Sequence, residues 1–156
     1  MLSTKLFFQH LFICLISLLG LAFLANRIQW NDFISLFYFV IVVLMYIFSG
    51  YISTESKARV ISYFSVAIIG IVFWTYCYVL SSNSTNYKSS DQNAGIWFFY
   101  ELFITSKSSL NMLPIFSDKY SLNLDLFSKL IFPCVFSIFQ FIGGQLKLKR
   151  INDNAS

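Results

Sequence analysis

Between residues 33 and 80 the chain carries two uncharged apolar runs, 33–51 and 60–80, joined by the short polar link Ser53-Thr54-Glu55-Ser56-Lys57-Ala58. No other feature of the sequence limits the possible folds so strongly. Each run is ~20 residues, which at ~1.5 Å of rise per residue crosses the ~30 Å hydrocarbon layer as a helix. Their β-branched and aromatic content would suit buried strands, but such strands run only ~4–8 residues before a turn signal. In lipid a helix also satisfies its own backbone N–H and C=O groups, which an open sheet edge cannot do. So short a link makes the two helices antiparallel neighbours. The centre of the chain reads as a transmembrane hairpin.

Composition agrees with lipid as the solvent. Of 156 residues, 57% are hydrophobic and 12% charged, about half the ~25% charged share of soluble domains. Nineteen Phe and nine Tyr suit headgroup-level and helix-packing positions. The net charge of +4 is scattered over loops and forms no basic patch, which argues against a nucleic-acid partner. Cys14, Cys77 and Cys134 show no CxxC pair and no metal-ligand spacing. They are expected to be free, buried thiols that pack as small hydrophobes.

Taken in order, residues 6–25 form a first span containing His10, Ser17 and Gly20. It is longer than the ~7–15 residues of a secretory h-region and lacks an A-x-A site, so it reads as a retained helix. Residues 33–52 and 60–80 are the second and third spans. A loop over 81–125 follows, opening with the polar tract SSNSTNYKSSDQNAG, which has little apolar surface to bury. Within that loop, residues 96–104 (IWFFYELFI) make only ~14 Å of helix, too short to span. They are expected as an interfacial or re-entrant helix.

The fourth span, 126–144, carries Lys129, Pro133 and Gln140. Lys129 lies one turn from its start, where its stem can snorkel to the headgroups. Pro133 should kink the helix without ending it, because neighbours can satisfy the carbonyl it frees. Gly143 and Gly144 are expected to end the span, leaving 145–156 as a cytoplasmic tail. The expected fold class is all-α. It is a polytopic integral membrane protein and one membrane domain: four transmembrane helices plus a short interfacial or re-entrant helix between the third and fourth.

Cations set the expected orientation in a cell membrane. With both termini cytoplasmic, the inner segments hold Lys5, Lys57, Arg59, Lys147, Lys149 and Arg150. The longer outer segments hold Arg27, Lys88, Lys107 and Lys119. The positive-inside rule therefore favours cytoplasmic termini and an extracytoplasmic loop 81–125.

Glu101 is the one position singled out as a candidate functional residue. In a small outer vestibule it would contact a cation or a peptide. The preferred, plainer reading turns this single acid of the apolar run toward water, since burying a lone carboxylate is costly. His10 is the only histidine and has no partner at haem or metal spacing, so it reads as a polar residue near an interface. Gln140 and Pro133 read as packing devices, and Ser62, Ser65, Ala67 and Gly70 as the close-packed face of the third helix. A Cys77–Cys134 disulfide is disfavoured by a depth mismatch of ~7 Å. Asn83-Ser84-Thr85 matches a glycosylation sequon, of consequence only in a lumenal loop.

The chain has no phosphate-binding Gly-rich loop, no HExxH, no nucleophile elbow and no intramembrane run of acids. No catalytic residue, metal or cofactor is nominated. Three functional readings stand, in order of preference. The first is a non-catalytic membrane protein acting through protein contacts, of accessory, immunity or sensor type. The second is an oligomeric channel or transport component, whose path Ser17, Ser62, Ser65, Thr75 and Gln140 would line. The third is a membrane enzyme with an interfacial carboxylate site drawn from Glu101, Asp118 and Asp125. The partners implied are the lipid bilayer and either a membrane protein or a second copy of the chain.

Overall fold

A computed structural model describes residues 2–25, 32–55, 59–81, 91–107 and 122–154, which are almost entirely helical with no strand among them. The elements are α1 (Leu2–Ala25), α2 (Asp32–Ser53), α3 (Ser65–Ser81), α4 (Asp91–Phe103) and α5 (Leu122–Asp153). One 3-10 turn, Val60–Phe64, leads into α3, and another, Thr105–Lys107, follows α4. Four stretches are long and apolar enough to cross a membrane: Leu2–Leu24, Phe33–Ser53, Val60–Leu80 and Lys129–Asp153.

α5 is the central post. It packs most extensively on α2 and next on α3, while α1 lies against α2. The helix does not stop at Gly143 and Gly144 as expected from sequence, but continues to Asp153. A glycine weakens a helix by only ~1 kcal/mol, and here each one admits a neighbour. A Cβ on Gly143 would overlap the Ile47 carbonyl, one on Gly50 would overlap the Gln140 carbonyl, and one on Gly144 would strike the Tyr63 ring. The glycines thus let α2 and α5 cross in backbone contact, the use small residues commonly have between apolar helices.

Polar side chains then close the joints. Gln140 Nε2 donates to the Leu6 carbonyl at 3.3 Å and to Ser49 Oγ at 3.2 Å. The Ala67 N–H, in the first turn of α3, donates to Ser137 Oγ at 3.0 Å. The small residues of α3 do face a neighbour: Gly70 sits against Pro133 and Phe103.

One end of the bundle is basic. There Lys5 pairs with Glu55 at 2.7 Å, Lys147 Nζ donates to the Ile52 carbonyl at 3.1 Å, and Arg150 Nη1 donates to Tyr51 Oη at 2.8 Å. Ile52 lies in the last turn of α2, whose carbonyls lack helical donors, so a cation suits that position. The hydrogen bond from Lys5 holds the Glu55 carboxyl below its ordinary value of 4.5. Because the folded-state value is depressed, this tie is intact above 4.5 and weakens as pH falls through the lower, folded value.

Candidate functional site

α4 is the unusual element, because it ends inside the bundle. Its buried stripe, carried one residue past the helix end, is Trp97, Tyr100, Phe103 and Ile104, a spacing that places one face of a helix inward. That face packs with Val66 and Cys77, and with Phe7, Phe73 and Trp74 at its margin. Phe98 and Phe99 point the other way and are exposed. The helix does not lie flat on the bundle surface; its C-terminal end inserts among the others.

A helix that stops in an apolar interior leaves four carbonyls without helical donors, and each must find another. Here all four do. The Ile104 N–H donates to the Tyr100 carbonyl at 3.0 Å. The Thr105 hydroxyl lies 2.8 Å from both the Glu101 and the Leu102 carbonyls, which share its one proton. The last carbonyl, Phe103, receives His10 Nε2 at 2.9 Å and the Cys14 thiol at 3.1 Å.

His10 in turn depends on α2. Its Nδ1 lies 2.7 Å from Tyr46 Oη, and that oxygen lies 3.0 Å from Ser106 Oγ. With Nε2 donating to a carbonyl, Nδ1 accepts the Tyr46 proton and Tyr46 Oη accepts the Ser106 proton. Each bond in this chain has its own proton and the ring supplies only the one on Nε2, which is the pattern of a neutral imidazole. Tyr46 is held flat against Phe136, with centroids 4.5 Å apart and planes 6° apart. His10, Tyr46 and Ser106 are all fully buried. Read from sequence as a polar residue near an interface, His10 is packed in the interior of the bundle. α1 starts at Leu2, so His10 lies ~12 Å along it.

A second set of contacts binds α4 to α5. The Glu101 carboxylate meets Lys129 Nζ at 2.6 Å, with side chains 40% and 9% exposed, and the ammonium also lies 5.7 Å from the Trp97 ring centroid. The acid expected to face water is therefore paired. Lys129 does not snorkel from one turn inside its helix. α5 begins at Leu122, which puts Lys129 ~10 Å along the helix, and the side chain is buried.

Pro133 explains the third contact. It lies inside α5 without ending it and has no N–H, so the Lys129 carbonyl four residues earlier loses its helical donor. Tyr100 supplies the replacement, its hydroxyl donating to that carbonyl at 2.9 Å. Tyr100→Phe is expected to lower stability by ~1–3 kcal/mol, the effect of leaving a buried acceptor unmade. The same change in a Pro133→Ala background should be nearly neutral, because alanine at that position restores the helical donor. Thermal unfolding of the four proteins in detergent checks both statements; an equal loss in the two backgrounds would contradict them.

The arrangement thus unites Glu101, His10, Lys129 and Pro133 around one inserted helix. It does not bring in Gln140, which serves the basic end, nor join Cys77 to Cys134, which are free thiols. Asp118 and the sequon at Asn83 lie outside the described residues, as does the Asp125 side chain. Sequence reasoning missed Tyr46, Tyr100, Thr105 and Ser106, and gave Cys14 as a free, buried thiol, which it is, without its bond to Phe103. Pro133 carried a usable signal for one of them, since a freed carbonyl in an apolar span calls for a hydroxyl donor. Comparison with known protein families, curated proteins and solved structures returns no match.

Proposed function

We propose that this chain is a non-catalytic integral membrane protein that acts through protein contacts. In this reading four helices span the membrane and both termini are cytoplasmic. Residues 81–125 face the extracytoplasmic side, from which α4 dips back as a re-entrant helix. The observation that carries the reading is the use of the chemistry-bearing side chains. Glu101 is engaged by Lys129, and His10 and Cys14 by the Phe103 carbonyl, so these groups hold a helix in place instead of facing a substrate. The outward Phe98 and Phe99, 58% and 63% exposed, offer a partner an aromatic surface beside the outer loop.

Several polar residues that a permeation path would use are otherwise occupied. Thr75 bonds its own helix at Ile71, Ser65 donates to the Ser3 carbonyl, and Gln140 donates to Leu6. The cluster of cations at the basic end supports the orientation.

One experiment tests both role and sidedness. Cys14, Cys77 and Cys134 are replaced by Ser, Ser90 by Cys, and intact cells are treated with a membrane-impermeant thiol reagent bearing a photocrosslinker. A discrete protein adduct, identified by mass spectrometry, is expected. Modification without any protein adduct would refute the contact role, and modification only after lysis would invert the topology.

A further inference from the structure

Along the outer face of α2, toward the basic end, lies an apolar groove of about 660 Å³. Ile41, Leu44, Phe48 and Tyr51 line it in helical register and Met45 deepens it, while Arg150 from α5 closes one end. From Ile41 to Tyr51 the helix rises ~15 Å, half of the ~30 Å hydrocarbon layer and so the depth of one leaflet. The groove is apolar along that depth and cationic only at its mouth. Arg150 is exposed and directed over the groove by its bond to Tyr51 Oη at 2.8 Å, which uses one of the five N–H donors of a guanidinium.

We infer that this groove binds one anionic phospholipid, an acyl chain lying along Ile41–Phe48 and the headgroup phosphate on Arg150. Charge and length together select the ligand. An acyl chain matches the apolar depth, and a guanidinium presents the planar fork that phosphate oxygens accept bidentately. The inference rests on the four helices spanning a membrane and is independent of the protein-contact role.

Native mass spectrometry of the full chain, released from micelles holding equal phosphatidylglycerol and phosphatidylcholine of matched acyl chains, tests it. Phosphatidylglycerol should be retained over phosphatidylcholine by ~10-fold, or about 1.4 kcal/mol, because the phosphate of phosphatidylcholine carries a tethered trimethylammonium that Arg150 and the cations beside it repel. Arg150→Gln should bring that ratio near unity, whereas Lys149→Gln, a charge change at the same end, should leave it. Phe48→Ser, at an exposed position that the fold does not need, should reduce retention of both lipids.

Equal retention of the two lipids by the native chain, or an equal effect of Lys149→Gln and Arg150→Gln, would overturn the inference in favour of diffuse surface charge. Displacement of phosphatidylglycerol by soluble glycerol phosphate would show that the headgroup alone is recognised and would also overturn it. A dimer that Phe48→Ser dissolves would place a second copy of the chain in the groove instead.

Discussion

Glu101→Gln should lower the unfolding free energy of the protein in detergent by ~3 kcal/mol, while Lys129→Met should cost only ~1 kcal/mol. The asymmetry follows from exposure. Removing the acid takes the carboxylate at 2.6 Å from an ammonium whose side chain is 9% exposed, whereas removing Lys129 leaves a carboxylate that is 40% exposed and still reaches polar surroundings. Breaking a buried pair by deleting one member commonly costs ~3–5 kcal/mol, and the lower end is taken because Glu101 is only partly buried. The double variant should recover to within ~1 kcal/mol of the native protein, since it removes both charges of the pair together. A double-mutant cycle read by denaturant unfolding measures all three values. Additive losses would mean that the two residues act separately.

The second large effect concerns the crossing of α2 and α5. Gly143→Ala should destabilise by ~3 kcal/mol, at the upper end of overpacking costs, because the new methyl meets the Ile47 carbonyl, which no rotamer change can move aside. Gly50→Ala should behave similarly, through the Gln140 carbonyl. Gly95→Ala has the opposite sign. A methyl there meets nothing within 4 Å, so the better helix propensity of alanine should stabilise α4 by up to ~1 kcal/mol. Thermal unfolding of the three variants distinguishes contact glycines from a free one. Tolerance of alanine at both 50 and 143 would mean that the helices are not in backbone contact.

How much of this was legible beforehand depends on the kind of interaction. The four apolar helices, the short fifth helix and the survival of α5 through Pro133 all follow from run length, absence of charge and backbone hydrogen bonding. So does the donor that Pro133 requires from a neighbour. What escaped was partner identity. Glu101 and Lys129 lie on different helices far apart in the chain, and the hydrogen-bonded chain His10–Tyr46–Ser106 joins three elements. Nothing in their spacing links them. Gly143 and Gly144 were misjudged for the same reason: as a pair they suggest a helix end, yet against Ile47 and Tyr63 they are points of close approach.

The sequence by itself therefore determined the all-helical class, the apolar helices and their number, because those depend on how a long apolar segment satisfies its own backbone. Only the tertiary structure decided that α4 ends inside the bundle with every terminal carbonyl met. It decided too that the lone histidine meets the last of them, and that Glu101 is paired. Such choices turn on three-dimensional proximity between distant residues, which local pattern does not encode.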